Sequence, residues 1–318
     1  MKLFVTGGAG FIGSHFVKMA VKSNLGEFEE VIVLDALTYA GKKSNLEGVI
    51  NDKKLKFYEG NINDYKYVVR LMKNTDLVIN FAAESHVDRS IASSSEFINT
   101  NILGVHTLLE ATLNSGVNKF IQISTDEVYG SVSEGKATEE SLLTPNSPYS
   151  ASKASADLIV RSYIKTHGLN AIITRSSNNY GPFQDNEKLI PRTISKLLKN
   201  EKIPVFGNGL NIRNWIHVDD NCRAIFKIIE SGRSGEIYNI GGDAEISNID
   251  LVRQISILMG KGTDTVEFVK DREGHDFRYA VDDSKLKNDT DFNCSVDFIS
   301  GIQETINWYE NNPNYIKI

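Results

Sequence analysis

Through the first half of the chain, short apolar runs alternate with stretches whose apolar residues recur at helical spacing. The apolar runs are 2–6, 31–35, 55–59, 76–81, 119–124 and 170–175. The helical stretches are 11–23, 65–73, 93–115 and 148–167. Runs of this kind suit strands buried on both faces, and strand–helix alternation suits a parallel sheet with helices on each side. The pattern predicts an α/β fold built on a doubly wound parallel sheet, with ligands at the carboxyl ends of the strands. The second half is mixed. Segments 189–199, 219–230, 249–259 and 299–310 have helical periodicity, whereas 203–206, 237–240 and 266–269 read as short strands. They predict a smaller mixed α/β substrate domain over residues 181–318, after a dinucleotide-binding domain over 1–180. The junction falls near Gly181 and Pro182, with segments allowed to cross back to the first domain.

The first predicted strand runs into Thr6-Gly-Gly-Ala-Gly-Phe-Ile-Gly13, which opens the first helix. Gly8, Gly10 and Gly13 fit G-x-G-x-x-G in its strand–turn–helix setting, a Rossmann-like signature. Small residues let the backbone approach a pyrophosphate, and the helix N-terminus offers free N–H groups and a positive dipole. The motif alone would also fit a plain tight turn. Asp35 changes the picture, because it ends the second strand at about the ~20-residue offset of the acid that binds adenosine ribose. A carboxylate there repels a 2′-phosphate, so NAD is expected rather than NADP. Ala82 and Ala83 end the fourth run, where small residues would let a dinucleotide lie across the sheet edge.

Ser147-Pro-Tyr-Ser-Ala-Ser-Lys153 opens another helix, with Ser147 as cap and Pro148 at the first position. Tyr149 and Lys153 are four apart and share one helix face. An ammonium near a phenol favours the phenolate, so Lys153 is expected to lower the Tyr149 pKa and ready it for proton transfer. Ile123-Ser-Thr-Asp-Glu-Val-Tyr-Gly130 then poses a question, since Asp126 and Glu127 stand side by side where a core strand ends. A D-E pair is ordinarily a solvated turn. Two carboxyls in different protonation states can instead supply a general acid and a general base.

Bulk properties narrow the field. Thirty-five Lys and Arg against 41 Asp and Glu leave a formal net charge of −6, which argues against a broad nucleic-acid surface. Cys222 and Cys294 are the only cysteines, too few for a disulfide framework or a zinc site. Reduced thiols in a cytoplasmic protein are expected. No apolar run approaches membrane-spanning length, and neither membrane nor metal is expected as a partner.

These residues together resemble the extended short-chain dehydrogenase/reductase superfamily. Thr125, Tyr149 and Lys153 match its Ser/Thr–Tyr–Lys triad. In that triad tyrosine is the acid/base, lysine supports it and binds nicotinamide ribose, and the hydroxyl orders the substrate oxygen. Within the superfamily, Thr125-Asp126-Glu127 after the fifth strand resembles the nucleotide-sugar 4,6-dehydratases, above all the dTDP-glucose 4,6-dehydratase family. The likeness runs nearly end to end. It includes Leu34-Asp-Ala-Leu-Thr-Tyr-Ala-Gly41, Ala82-Ala-Glu-Ser-His-Val-Asp-Arg-Ser90, Ser177-Asn-Asn-Tyr-Gly-Pro182, Tyr238-Asn-Ile-Gly-Gly242 and Gly274-His-Asp276.

The resemblance implies a lyase that retains NAD. The sugar is oxidised at C4, loses its C5 proton and C6 hydroxyl, and takes hydride back at C6. Glu127 would be the C5 base and Asp126 the C6 acid. Implied cofactor contacts are Gly7, Gly10, Phe11, Ile12 and Gly13 in the first turn, and Asp35, Leu37 and Thr38 after the second strand. Asn61, Ile62, Ala82, Ala83, Thr100 and Asn179 join Tyr149 and Lys153 in that role. Implied substrate contacts are Ser85, Thr125, Asn178, Lys188 and Leu189, then Val205, Arg213, Asn248, Arg272 and His275. Arg213 and Arg272 would grip the diphosphate through charge-assisted hydrogen bonds. A homodimer paired through helices 93–115 and 148–167 is implied, with a role in deoxysugar synthesis such as a rhamnose route.

Four positions depart from the family pattern. Asn61 replaces an aspartate near the adenine, although its carbonyl can still accept a hydrogen bond. Ser176 replaces a common cysteine. Asn214 replaces an aspartate, which is expected to hold Arg213 less firmly. Glu273 replaces a proline and is expected to set a negative charge beside Arg272. The alternatives are a UDP-glucose 4,6-dehydratase, a UDP-glucuronate decarboxylase, in which serine generally stands at the Asp126 position, and a non-catalytic NAD-binding protein, which would ordinarily have lost the tyrosine or lysine.

Overall fold

The structure is a computed structural model that describes residues 1–23 and 25–316. Its strands are β1 (Lys2–Thr6), β2 (Glu30–Asp35), β3 (Leu55–Glu59), β4 (Leu77–Asn80), β5 (Lys119–Thr125), β6 (Ala171–Ser176), β7 (Asn178–Tyr180), β8 (Ile203–Phe206), β9 (Ile212–His217), β10 (Ile237–Ile240), β11 (Ala244–Ser247) and β12 (Val266–Val269). The helices are α1 (Phe11–Lys22), α2 (Tyr65–Leu71), α3 (Val87–Ala92), α4 (Ser95–Phe97), α5 (Val105–Ser115), α6 (Pro148–His167), α7 (Leu189–Leu198), α8 (Val218–Ser231), α9 (Asn248–Leu258), α10 (Ser284–Thr290) and α11 (Phe298–Asn311).

Seven parallel strands form the central sheet in the order β10-β6-β5-β4-β1-β2-β3. The order in which strands are added reverses between β1 and β4, which opens the crevice where doubly wound sheets bind ligands. The expected six strands are present. The seventh is β10, which lies beside β6 although its sequence sits deep in the second half. One face of the sheet is covered by α1 and α8, where Phe16 stacks on Phe226 with centroids 4.5 Å apart. The other is covered by α2, α5 and α6, through buried residues such as Leu108, Leu109 and Val160.

The crevice is held open by a buried polar ladder. Thr6 Oγ1 donates to Asn80 Oδ1 at 2.6 Å, and Asn80 Nδ2 donates to Gln122 Oε1 at 2.9 Å. Three neighbouring strands are thus tied in register at their carboxyl ends, with each buried polar group given a partner. Asn80 Oδ1 also receives the Ala82 N–H and so sets the turn that follows β4.

The predicted helix over 93–115 runs without interruption from Ser95 to Ser115, with Ser93 and Ser94 outside it. Its middle is a π turn at Ile98–Gly104 between α4 and α5. The turn aims Asn101 inward, where its amide bonds both the N–H and carbonyl of Glu84 and the hydroxyl of Ser152 on α6. Such extra-residue turns recur at functional sites. The α6 start is as the sequence predicts. Ser147 and Ser150 form a reciprocal capping box with Pro148 in the first turn, and Gly168 closes the helix at φ +64°.

The smaller body packs α7, α9 and α11 around Ile190, Ile194, Leu251, Ile255, Ile302 and Ile306. A sheet of β11-β9-β7 and the pair β12-β8 complete it. Its strands β7 and β9 continue directly from β6 and into α8, so the two bodies share a cleft above the sheet crevice.

Candidate active site

The glycine turn is packed too tightly for side chains at two positions. Gly7 has φ +68°, and a Cβ there would lie 2.5 Å from the Ala82 nitrogen. A Cβ on Gly13 would lie 2.2 Å from the Gly7 carbonyl oxygen. Asp35 is buried at the end of β2. Its Oδ2 accepts the Ala9 N–H and its Oδ1 the Leu37 N–H, both at 2.8 Å. Burial raises its pKa above the usual carboxylate value, while those two donors pull it back. The carboxylate therefore shapes the glycine turn and keeps lone pairs for a further donor. Asn61 Oδ1 accepts the Asn63 N–H at 2.9 Å and likewise retains accepting capacity. Leu37, exposed Thr38, Asn61 and buried Ile62 gather past β2 and β3, while Thr100 lies on the π turn. The cleft lining includes Gly7, Gly10, Phe11, Ile12, Gly13, Ala83, Tyr149, Lys153 and Asn179, but not Leu37, Thr38, Asn61, Ile62, Ala82 or Thr100.

At the end of β5 the backbone turns through a short 3₁₀ segment, Asp126–Tyr129, capped by the Thr125 hydroxyl on the Glu127 N–H. Thr125 Oγ1 also donates to Asp126 Oδ1 at 3.3 Å. The triad hydroxyl and phenol line one cleft together with both acids. Asp126 is buried, and its second oxygen, Oδ2, has no hydrogen-bond partner among the described residues. Burial and the charge of Glu127 push the Asp126 pKa up to about 8. Glu127 is half-buried, and burial raises its pKa too, but Lys188, Arg213 and Arg272 surround it and favour its charged form. Both carboxyls are thus raised, Asp126 to about 8, while at Glu127 three cations oppose the rise that burial causes.

The expectation for Tyr149 and Lys153 needs correction. Tyr149 is held well above the usual phenol pKa, by burial first and then by Glu127. Lys153 shares the helix face, but its ammonium donates to the Ile123 carbonyl at 2.6 Å. Burial lowers its own pKa to about 8, opposed by Asp157 one turn further on. Lysine alone does not make the phenolate in this arrangement, and further positive charge has to be brought to the phenol.

Beyond Glu127 the cleft continues into the smaller body, lined by Asn178, Lys188, Leu189, Val205, Arg213, Asn248, Arg272 and His275. Lys188 Nζ donates to the Ser85 carbonyl at 2.7 Å, which joins the two bodies. Arg213 donates to the carbonyls of Ile212 and Asp276 at 2.7 and 3.0 Å and stacks over Tyr279 at 4.2 Å. Its remaining donors face the cleft side of β9. The side-chain carbonyls of Asn178, Asn179 and Asn248 are buried without hydrogen-bond partners among the described residues, an arrangement suited to ligand donors.

Two expected consequences of the family departures do not occur. Asn214 lies on the opposite side of β9 from Arg213. Its amide donates to the Gly242 carbonyl and accepts the Gly242 N–H, each at 2.7 Å, so it clamps β9 to the turn before β11 and takes no part in holding Arg213. Glu273 is exposed and pairs with Lys270 at 3.8 Å, outside the cleft lining. Ser176 fills its site by donating to Asn221 Oδ1 at 2.8 Å.

Sequence reasoning missed a second group around the cleft. Arg89 forms a two-point ion pair with Glu187 (3.0 and 2.5 Å) and stacks over Tyr39 at 4.0 Å. His86, Phe206, Trp215 and Tyr279 line the substrate end. The motif around 82–90 held some of these residues, but no spacing rule links 89 to 187.

A family model described as GDP-mannose 4,6 dehydratase matches residues 4–305. The chain belongs to the nucleotide-sugar 4,6-dehydratases. It is 47% identical to the Low-salt glycan biosynthesis protein Agl12 of Haloferax volcanii, over 97% of this chain and 98% of that one. It is 45% identical to the dTDP-glucose 4,6-dehydratase of Streptomyces niveus, over 98% of this chain and 94% of that one. The crystal structure of DesIV, a dTDP-glucose 4,6-dehydratase from Streptomyces venezuelae with NAD and TYD bound, superposes with TM-score 0.98 at 46% identity, covering 100% of this chain and 99% of that one. The dehydratase fold thus extends through both bodies, including the smaller one that closes the cleft.

Proposed function

We propose that the chain converts dTDP-glucose to dTDP-4-keto-6-deoxyglucose and water with NAD retained. The observation that carries this reading is the placement of two adjacent carboxyls, buried Asp126 and Glu127 facing Lys188, Arg213 and Arg272, in one cleft with Thr125 and Tyr149. An epimerase needs no such pair, and a decarboxylase has no C6 hydroxyl to protonate.

The site fits a dinucleotide. Gly7 and Gly13 leave a cradle that any Cβ would fill, Asp35 awaits a ribose hydroxyl, and the orphaned Asn179 carbonyl faces the same cleft. When bound, NAD supplies a hydride acceptor, which later returns the hydride at C6, and a positive charge. Thr125 and Tyr149 hold the C4 hydroxyl, and Tyr149 takes its proton. Glu127 takes the proton from C5, now acidified by the C4 ketone. Asp126 gives its proton to the C6 hydroxyl, which leaves as water. Glu127 finally returns a proton to C5. No net redox change results. Arg213, Arg272 and Lys188 form the cationic wall for the diphosphate, and Phe206 offers a face for the base. The free thiols Cys222 and Cys294 support a cytosolic setting.

Parallel incubation with dTDP-glucose, UDP-glucose and CDP-glucose tests the reading, with 4-keto-6-deoxy product expected fastest from the thymidine nucleotide. Product from none of them would reject it. Gly13→Ala should strip the purified protein of NAD, measured by the nucleotide released on denaturation. Its Cβ meets backbone, so an overpacking cost of roughly 1–3 kcal/mol and a lower unfolding midpoint should accompany the loss.

The reading includes a homodimer. Ile98 and Leu103 on the π turn and Leu158 on α6 leave apolar side chains exposed on adjoining helices, which suits a two-fold helical interface. Light scattering at micromolar concentration should give twice the chain mass. Leu103→Glu with Leu158→Glu should give the monomer.

A further inference from the structure

The segment after β4 reaches across the mouth of the cleft with two ion pairs. Arg89 holds Glu187, and Asp88 holds Arg272. The second pair is unusual in its target. Asp88 Oδ1 lies 2.5 Å from Arg272 Nε, and Asp88 Oδ2 accepts from Nη2 at 3.1 Å. Two oxygens of one anion therefore face one edge of a guanidinium. Nε nonetheless has no hydrogen-bond partner among the described residues, so the pair falls short of the two-point fork that arginine makes with a phosphate. The same guanidinium lines the substrate cleft and stacks over Phe206 at 5.0 Å. It also contributes to the field on Glu127. A diphosphate lying between a base at Phe206 and a sugar at Glu127 would meet the edge that Asp88 occupies.

We infer that Asp88 is an internal stand-in for the substrate diphosphate: it holds Arg272 in place until a nucleoside diphosphate displaces it. The inference rests on the reading of Arg272 as a diphosphate ligand given under Proposed function. It adds a residue at the rim of the cleft, next to the lining residues His86 and Val87, that sets ligand selectivity. Competition with a two-oxygen anion favours ligands with several phosphate oxygens, and a nucleoside without phosphate cannot displace it. Asp88 and Arg272 are both partly exposed, and the exchange needs only side-chain movement.

The test is calorimetric binding of dTDP, dTMP and thymidine to the NAD-loaded protein. Asp88→Asn removes the competing charge and leaves a side chain of the same shape. It should tighten dTDP roughly 3–10-fold, the scale of a partly exposed, charge-assisted pair. The gain should be smaller for dTMP and absent for thymidine. Asp88→Glu keeps the anion and should bind dTDP as the parent does. Weaker or unchanged dTDP binding in Asp88→Asn, with its unfolding midpoint preserved, would overturn the inference and make Asp88 a support for Arg272 or a bystander. An equal gain for thymidine would overturn it too. Arg272→Gln separates this from the underlying reading, since it should weaken dTDP roughly tenfold or more. If it does not, or if the parent protein binds no dTDP, the assignment of Arg272 fails first and the inference falls with it.

Discussion

Glu127→Gln should reduce turnover of dTDP-glucose by ~10²–10⁴-fold, the range for loss of a general base. The amide keeps the shape of the side chain and cannot take the C5 proton. Deuterium uptake at C5 in heavy water should fall with the rate. Nucleotide binding should not weaken, because Glu127 sits among Lys188, Arg213 and Arg272, and neutralising it leaves more positive field for an anion. The variant thus separates chemistry from binding: kcat collapses while KM holds or falls. Normal C5 exchange in Glu127→Gln would assign the base elsewhere.

Asp126→Asn should also lose ~10²–10⁴-fold in kcat, but through the other half of the elimination. The C6 hydroxyl leaves poorly without a proton donor, while C5 exchange through Glu127 persists. The two substitutions combined should cost less than the product of their separate losses if both groups act in one elimination. In the parent protein, activity should fall as pH rises through about 8, where Asp126 loses its proton. Lys153 is pulled down to a similar value, so Lys153→Arg is the control that leaves only the Asp126 limb. On the acid side, activity should fall as Glu127 takes up a proton, at a pH above the usual glutamate value.

The raised pKa of Asp126 also has a cost in stability, with a definite sign. The folded state holds this proton more tightly than the unfolded chain does. The stability it contributes is full below the ordinary value of 3.8 and is lost progressively as pH rises toward about 8. Asn cannot ionise. Asp126→Asn should therefore be more stable than the parent, by a margin that widens from pH 4 to about 8 and then levels, on the order of a few kcal/mol. Denaturant melts at acid, neutral and alkaline pH measure it. A variant less stable than the parent at alkaline pH would contradict the buried protonated acid.

Much of this site is legible in the residues because its parts are local. The glycine turn, Asp35 at the end of β2 and the capped start of α6 each follow from short-range geometry. Asp126 and Glu127 are conspicuous because polar pairs are out of place where a core strand ends. What escapes is what depends on contacts between distant segments. Helical periodicity over 93–115 does not register the extra residue of the π turn, since the flanking apolar faces remain in phase with their own packing partners. The short run 237–240 reads as a strand, but nothing in it says that its partner is β6. The Tyr149 phenol was expected to be lowered by its helical neighbour. Burial and the two acids outweigh that, because Lys153 spends its hydrogen bond on the Ile123 carbonyl. Asn214 in place of aspartate is expected to leave Arg213 less firmly held, yet strand alternation sends adjacent side chains to opposite faces, and Asn214 ties down Gly242 instead.

The most direct test follows dTDP-glucose carrying deuterium at C4, turned over once in ordinary water and read by NMR. The account predicts a 4-keto-6-deoxy product with that deuterium at C6, and the same experiment in heavy water with unlabelled substrate should place deuterium at C5. Deuterium returned to C4 in a sugar that keeps its C6 hydroxyl would contradict it, because Asp126 and Glu127 would then have no elimination to perform.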